Sequence, residues 1–178
     1  MSSAKVLGVV GWSGSGKTTL ITRLIPLLVR RGLRIATLKH AHHTFDVDTP
    51  GKDSYEHRKA GASEVIVSSS QRWVQLHELD GAAEATLMQL LRRLAPCDLV
   101  LVEGYKGEKH TKMEVYRTAL GKDPLYPADK HIVAIASDPM IAGAGIPMVD
   151  LNDIDAVGNT VLTSAEPLES LLARLGDT

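Results

Sequence analysis

Several kinds of residue on which other protein classes depend are scarce in this chain. Its 178 residues include one cysteine, Cys97, so no internal disulfide can form and we expect a reducing compartment, the cytoplasm. Aromatic residues make up 4%, with a single phenylalanine, which argues against surfaces that stack nucleic-acid bases. The 20 lysines and arginines are balanced by 21 acidic residues, and the resulting net charge of −1 favours neither nucleic acid nor an anionic membrane as a partner.

Long hydrophobic runs are also absent. The run near the start, Val6 to Val10, is interrupted by Gly8 and is shorter than the roughly 7–15 apolar residues of an export signal. No run approaches the ~20 apolar residues of a membrane-spanning helix. We therefore expect a protein without an export signal, and the length predicts a single globular domain over residues 1–178.

Strand-like and helix-like segments alternate along the chain. Strands are predicted at residues 5–11, 34–40, 98–104, 131–136 and 147–151, with a weaker strand at 113–117. Helices are predicted at residues 17–31, 52–60, 82–94 and 166–175. Residues 63–69 and 72–77 form a further pair of strands joined through Ser70 and Gln71. This pattern predicts the α/β class, with three layers, a mostly parallel central sheet and an added hairpin.

The first strand is followed by a complete phosphate-binding motif. Residues 11–18, GWSGSGKT, match G-x-x-x-x-G-K-[ST], the Walker A pattern of P-loop NTPases, and an apolar-periodic helix follows. Its glycines let backbone N–H groups surround a phosphate at a helix N-terminus, while Lys17 faces the β/γ oxygens and the Thr18 hydroxyl ligates Mg²⁺. The candidate nucleotide-binding residues are Gly11, Ser13, Gly14, Ser15, Gly16, Lys17, Thr18 and Thr19.

A second acid is expected at the carboxyl end of another parallel strand, where such sheets place their ligands. The strand DLVLVEG carries Asp98 at one end and Glu103 at the other, about 16–17 Å apart at ~3.3 Å per residue. Only Glu103 lies at the carboxyl end. We therefore predict Glu103 as the acid beside the metal and Asp98 as a solvated strand start.

The loop after the second strand, residues 39–48, contains three histidines and two acids. Three interpretations stay open. The loop is a switch in which Asp46 or Asp48 touches the Mg²⁺ shell or orients the attacking water, a transition-metal site built from His40, His42 and His43, or a polar loop with no ligand.

The helix that follows this loop has Asp53 or Ser54 as its predicted N-cap. Lys52, Arg58 and Lys59 give it positive charge. The helix either exposes a solvated face or binds a phosphate-bearing ligand or a partner protein.

Base specificity is not decided by the residues themselves. The chain has no Asn-Lys pair of the kind that reads guanine in many GTP-binding proteins. Asp138, after the strand at 131–136, and Asn152 with Asp153, after the last strand, offer side chains that can bind a base. Adenine and guanine both stay open on this evidence.

Several segments together resemble the MobB family, the molybdopterin-guanine dinucleotide biosynthesis adaptor proteins. The resemblance rests on the loop at residues 12–19, on KHAHH at 39–43, on DVDTPGKDSYE at 46–56 and on DLVLVEG at 98–104. It also includes RKAGA at 58–62, QRW at 71–73 and residues 134–138, and it extends over nearly the whole chain.

The resemblance implies a homodimeric GTP-binding protein with at most a weak GTPase activity. It implies that the chain assists the nucleotidyltransferase that attaches GMP to molybdopterin, with molybdopterin or the molybdenum cofactor as a further possible ligand. By position, Ser13 to Thr18 would bind the phosphates, Thr18 and Glu103 would serve Mg²⁺, and Asp48 would act with Lys17 near the γ-phosphate. Asp138 would belong to the nucleotide site.

Two other functions remain as alternatives. One is a kinase for a small molecule, whose lid would be residues 106–129, although Arg117 is the only arginine there. The other is a metal-insertion GTPase chaperone that uses the histidine loop. Since the motif loop carries no arginine to neutralise the γ-phosphate, we expect slow hydrolysis, and the small size leaves no region for a separate transferase site.

Overall fold

The computed structural model describes residues 4–41, 45–141 and 143–176. The chain divides into two compact units, residues 1–40 with 87–178 and residues 41–86. The prediction that residues 1–178 form a single domain stays a prediction.

The secondary structure follows the predicted alternation. The strands are β1 (Lys5–Val10), β2 (Ile35–Lys39), β3 (Glu64–Ser68), β4 (Trp73–His77), β5 (Leu99–Glu103), β6 (Lys112–Arg117), β7 (Ile132–Asp138), β8 (Met148–Asp150) and β9 (Glu166–Pro167). The α-helices are α1 (Lys17–Arg30), α2 (Asp53–Lys59), α3 (Leu87–Leu91), α4 (Ile154–Ser164) and α5 (Leu168–Gly176).

The larger unit contains a seven-stranded sheet in the order β2-β5-β1-β6-β7-β8. These strands are parallel, and the short β9 pairs antiparallel with β1. The fold class predicted from the sequence is confirmed. β6, predicted as a weak strand, lies between β1 and β7, next to the strand that leads into the phosphate loop.

Helices cover both faces of this sheet, which gives the expected three layers. On one face, Leu24 and Leu28 of α1 and Val157 of α4 pack in the cluster that contains Leu7 and Val9 of β1. On the other, a second cluster joins buried residues of β1 and β5 to α3 and α5, namely Val6, Val100, Val102, Leu87, Leu91 and Leu171. Alternate residues of β1 therefore face opposite layers, and each fully buried Val or Leu contributes about 1.5–3 kcal/mol of burial free energy.

Two helices differ from the sequence prediction. The helix predicted at residues 82–94 spans only Leu87–Leu91. Helix α4, which was not predicted, begins after Asp153, whose side chain accepts a hydrogen bond from the Ala156 N–H at 3.0 Å. Asp153 is therefore a helix N-cap, a structural role that sequence analysis did not consider when it placed this acid beside a base.

The smaller unit contains helix α2 and the hairpin of β3 and β4. The strands pair antiparallel, with Glu64 opposite His77 and Ser68 opposite Trp73, which confirms the predicted hairpin. The N-cap of α2 is Lys52 and makes no side-chain capping bond, so the predicted cap at Asp53 or Ser54 is wrong. The backbone enters helical geometry one residue earlier than the capping rule indicated.

Candidate phosphate-binding site

The loop between β1 and α1 has the geometry that its sequence predicts. Gly11 has φ +147° and Gly16, at the N-cap of α1, has φ +95°, both in the region that favours glycine. A Cβ added at Gly11 would lie 2.4 Å from the carbonyl oxygen of Val115 in β6. Glycine is therefore required at this position because the neighbouring strand leaves no room for a side chain.

Lys17 bends back over the loop that precedes it. Its Nζ donates hydrogen bonds to the carbonyl oxygens of Gly11, at 3.0 Å, and Trp12, at 2.9 Å. Burial lowers the pKa of Lys17, and the positive charges of Lys106 and Lys39 lower it further, against the opposing effect of Glu103. The environment of this ammonium group is therefore strongly cationic, which suits an anionic ligand.

Glu103 lies beside the first turn of α1, as predicted. The Thr18 hydroxyl donates a hydrogen bond of 2.7 Å to Oε1 of Glu103, and the Nζ of Lys39 is 3.8 Å from the same oxygen. The sheet explains this meeting, because Glu103 pairs in register with Val9 of β1 on one side and with Lys39 of β2 on the other. Hydroxyl and carboxylate oxygens are the hard ligands that Mg²⁺ prefers.

Asp98 lies at the opposite end of β5, but it is not simply a solvated strand start. Its carboxylate accepts hydrogen bonds from the backbone N–H of Arg34 at 2.8 Å and from the Arg34 guanidinium at 3.2 Å. These bonds lower the pKa of the Asp98 carboxyl. The prediction placed Asp98 correctly at the start of β5, where its side chain stays partly exposed, but missed its pairing with Arg34, which lies next to β2 and reaches across the start of β5.

A cavity of about 370 Å³ opens where these elements meet. Most of the predicted nucleotide-binding residues line it, together with the predicted metal-side acid: Ser13, Gly14, Gly16, Lys17, Thr18, Thr19 and Glu103. Ser15 is buried behind the loop, and its hydroxyl has no hydrogen-bond partner in the described part of the chain. The structure thus brings the candidate phosphate ligands to one side of one cavity.

Arg117 joins the phosphate loop to Asp138, a contact that sequence analysis missed. Its Nε donates a hydrogen bond of 3.2 Å to the carbonyl oxygen of Ser15, and its guanidinium lies 3.1 Å from Oδ2 of Asp138. The sequence placed Arg117 in a lid. It is the last residue of β6, as the predicted strand at 113–117 indicated, and the adjacency of β6 to β1, which no local pattern reveals, brings it to the loop. That Asp138 binds the base of a nucleotide stays a prediction.

Trp12 and Lys106 form a second contact at this loop that was not predicted. The Nζ of Lys106 lies 4.7 Å from the centroid of the Trp12 ring, a distance typical of a cation–π contact. The Trp12 Nε1–H donates a hydrogen bond of 2.8 Å to the carbonyl oxygen of Asp123. Residues from two other segments therefore hold the indole ring at the start of the phosphate loop.

In the smaller unit, Arg58 binds both acids of the proposed switch. Its guanidinium donates hydrogen bonds of 2.7 Å to Asp46 and to Asp48. Asp48 is 5% exposed and Asp46 is 60% exposed. Hydrogen bonding to Arg58 lowers the pKa of the Asp48 carboxyl. The charge of Arg58, one of the residues considered for a second phosphate ligand, is thus already matched within this unit.

The histidine loop is only partly described. His42 and His43 lie outside the described residues, and His40 follows β2 with its ring centroid 4.9 Å from that of Tyr105. Among residues 4–41, 45–141 and 143–176, no group of three or more His, Cys, Asp or Glu is arranged to hold a metal ion. None of the helices among these same residues combines the length and the apolar character needed to cross a membrane.

Comparison with known proteins gives a consistent result. Residues 6–138 match the family model MobB, described as molybdopterin guanine dinucleotide synthesis protein B. The chain is 42% identical over 160 residues to the molybdopterin-guanine dinucleotide biosynthesis adapter protein of Escherichia coli K12, covering 88% of this chain and 91% of that protein. It is 39% identical over 133 residues to the protein of the same name from Haemophilus influenzae, covering 75% and 74% of the two chains.

Solved structures show the same relationship. The crystal structure of Bacillus subtilis MobB aligns with a TM-score of 0.72 at 25% identity, covering 91% of this chain and 98% of the other. A further crystal structure, of molybdopterin-guanine biosynthesis protein B, aligns with a TM-score of 0.70 at 26% identity, covering 89% and 98%.

Proposed function

The chain belongs to the MobB family of molybdopterin guanine dinucleotide synthesis proteins, and we propose that it is the GTP-binding adaptor of that biosynthesis, with a weak GTPase activity. The observation that carries this proposal is the phosphate loop, where Lys17, Thr18 and Glu103 converge on one cavity. The names of its relatives, which call them adapter proteins, support the adaptor role.

The phosphate loop supports binding of a nucleoside triphosphate. Backbone N–H groups at the start of α1 are free of intrahelical partners and surround one phosphate. The Lys17 ammonium, now bound to the carbonyl oxygens of Gly11 and Trp12, turns to the β/γ oxygens. The choice of GTP over ATP rests on the family, and Asp138 is the residue that we assign to the base.

Mg²⁺ fits the oxygen pair at the first turn of α1. Thr18 and Glu103 would hold it, directly or through its water ligands. When bound, the ion would supply positive charge that offsets the negative charge of the phosphates. Lys39, 3.8 Å from Glu103, keeps the carboxylate oriented toward this position.

We expect slow hydrolysis because of the contacts made by Lys17 and Asp48, the two residues that we assign to the reaction. Lys17 can neutralise charge on the phosphates. Asp48, which would orient water near the γ-phosphate, is instead hydrogen-bonded to Arg58 and is a poor proton acceptor, because this contact lowers its pKa. A turnover below ~1 s⁻¹ is therefore expected of the isolated chain.

The partners that we propose are a second copy of the chain and the guanylyltransferase that joins GMP to molybdopterin. The hairpin exposes large apolar side chains on both of its faces, Ile66 and Trp73 on one and Val67 and Val74 on the other, which association would bury. Molybdopterin or the molybdenum cofactor is a further proposed ligand.

The test is a guanylyltransferase assay with the purified partner enzyme and GTP as the guanylyl donor, with and without the chain. We expect the chain to stimulate product formation, and Lys17→Ala to lose both its own GTP binding and the stimulation. Stimulation unchanged in Lys17→Ala would contradict the proposal. Transfer of the γ-phosphate to a pterin instead of its release as free phosphate would identify a kinase.

A further inference from the structure

We propose that Lys106 is a further phosphate-binding residue of this site, held on the ring face of Trp12 and positioned to take the terminal phosphate of a nucleoside triphosphate. The proposal rests on the proposed nucleotide binding and adds a residue outside the Walker A motif. It is carried by the chain path after Glu103, by the anchoring of Lys106 and by the charges around Lys17.

The chain turns sharply directly after Glu103. Gly104 has φ +91°, and Tyr105, a residue with a side chain, has φ +53°. A non-glycine residue in this region is unfavourable and is kept where the surrounding structure requires it, often at functional sites. The turn is closed by a hydrogen bond of 3.1 Å from the Glu108 N–H to the Tyr105 carbonyl oxygen. Its effect is to bring Lys106 back toward the phosphate loop.

The backbone of Lys106 is fixed while its side chain is exposed. Its carbonyl oxygen accepts a hydrogen bond of 2.8 Å from the Nζ of Lys112, which is 1% exposed and also bonds Asp129 at 2.6 Å. This buried ion pair holds the turn in place. The exposed side chain can then exchange one contact for another without moving the chain.

The side chains near Trp12 carry positive charges that a bound anion would balance. The Lys17 ammonium donates a hydrogen bond to the Trp12 carbonyl oxygen, and the Lys106 ammonium lies over the Trp12 ring. The two positive charges repel each other, and this repulsion contributes to the lowered pKa of Lys17. Lys39 has Glu103 as its counter-ion.

Among the described residues, no carboxylate lies within ion-pair distance of Lys106. Burial raises the pKa of Glu114, and the charge of Lys106 opposes this shift. The Glu114 oxygens accept hydrogen bonds from the Leu125 and Tyr126 N–H groups instead. A ligand with several negative charges would satisfy both Lys17 and Lys106.

The position of Trp12 indicates which phosphate Lys106 would bind. The N–H groups that surround an inner phosphate belong to the start of α1, at Gly16 and beyond. Trp12 lies at the other end of the loop, next to β1, so Lys106 faces the outer part of a bound triphosphate. A charge-assisted hydrogen bond to phosphate is stronger than a cation–π contact at an exposed ring, and a triphosphate therefore draws Lys106 from Trp12.

The test compares nucleoside tri- and diphosphate. The chain has two tryptophans, Trp12 and Trp73, so the Trp73→Phe parent reports on Trp12 alone. We would titrate this parent with Mg²⁺ and either a non-hydrolysable GTP analogue or GDP, and measure both affinities and Trp12 fluorescence. The variants are Lys106→Gln, Lys106→Arg and, as a matched control from the same loop, Lys109→Gln.

We expect Lys106→Gln to weaken triphosphate binding about tenfold while GDP binding stays within about twofold, since one charge-assisted contact is lost. The fluorescence change on triphosphate binding should disappear with it. Lys106→Arg should restore most of the affinity, and Lys109→Gln should match the parent.

Two other results would contradict the role of Lys106 or the function on which it rests. If Lys106→Gln binds both nucleotides as the parent does, or loses both equally, Lys106 does not bind the terminal phosphate and the proposal is overturned, although GTP binding by the chain stands. If the parent itself binds neither nucleotide, the proposed function fails and the role of Lys106 fails with it.

Discussion

The Thr18 hydroxyl and the Glu103 carboxylate are 85 positions apart in the chain and meet in a hydrogen bond of 2.7 Å. Thr18 lies in the first turn of a helix, and Glu103 ends a strand. The contact exists because β1, which leads into that helix, pairs in parallel register with β5. A hydroxyl and a carboxylate at this point form the oxygen pair to which we assign Mg²⁺.

Glu103→Gln tests this assignment with little change in shape. We expect the Mg²⁺-dependent part of GTP affinity to fall about 10- to 100-fold, because the neutral amide cannot balance the ion, while binding measured in EDTA stays close to the parent. Titration calorimetry with and without Mg²⁺ gives both values. Asp98→Asn, at the far end of the same strand, should keep the parent's Mg²⁺ dependence, and an equal loss in EDTA would refute the metal role of Glu103.

Gly11→Ala should disrupt the phosphate loop. The added Cβ would lie 2.4 Å from the Val115 carbonyl oxygen, a backbone atom that cannot turn away, at φ +147°. We expect GTP affinity to fall at least about tenfold and stability by about 1–3 kcal/mol. Urea unfolding and GTP titration measure the two effects. Gly107→Ala, where an added Cβ meets nothing within 4 Å, is the matched control and should change neither.

Arg58→Met should destabilise the smaller unit. It leaves the Asp48 carboxylate, 5% exposed, without its partner. Thermal unfolding followed by Trp73 fluorescence in a Trp12→Phe background should show a lower Tm. Asp46→Asn removes a bond to the same guanidinium from an acid that is 60% exposed and should have a much smaller effect.

The same contact predicts an acid dependence. Because Arg58 lowers the pKa of Asp48 below its ordinary value of 3.8, the stabilisation is complete above that pH and is lost as the pH falls through the lower value. Arg58→Met should therefore be less sensitive than the parent in this acid range. Equal Tm values for parent and variant at neutral pH would contradict the importance of the pair.

His110 predicts a second loss of stability on acidification, at higher pH than that of Asp48. Its ring is buried against Gly8, neither ring nitrogen has a hydrogen-bond partner in the described part of the chain, and burial lowers its pKa from 6.5 to about 4. Lys112 and His131 also lower this pKa, and Glu166 and Asp129 oppose them. The unfolded chain then binds more protons between these values, so stability falls as the pH is lowered from about 6.5 toward 4, by about 3 kcal/mol in total.

Urea unfolding between pH 7.5 and 5 measures this slope. His110→Leu, which cannot be protonated, should flatten it, leaving the smaller contribution of His131, whose pKa burial also lowers. His57→Gln, at an exposed position of α2, should keep the slope of the parent. A parent whose stability does not change over this range would show that His110 titrates normally.

The parts of the site that were predictable from sequence are those that depend on a local pattern or a general rule. Gly11 to Thr18 is contiguous, and Glu103 follows from the rule that parallel strands direct their carboxyl ends to one edge. Arg117 and Lys106 were missed because their positions depend on which strand neighbours β1 and on a turn at Tyr105, a residue type that does not predict positive φ.

Helix α4 was missed for a different reason. Gly158, Asn159 and Thr160 are poor helix formers, and the helix is stabilised by packing on α1 rather than by propensity. A Cβ at Gly158 would lie 2.9 Å from the Leu27 side chain, so the glycine that weakens the helix also allows the close approach of α1. In the smaller unit, the contact between Asp48 and Arg58 was missed because the local sequence is compatible with both a switch loop and an ion pair.

The division of the chain has an evolutionary consequence. Residues 41–86 leave the larger unit after β2 and return to it at α3, and the strands of the seven-stranded sheet all lie outside them. They are an insertion into a complete α/β module. Their length and sequence can therefore diverge without altering the strand register that joins Thr18 to Glu103.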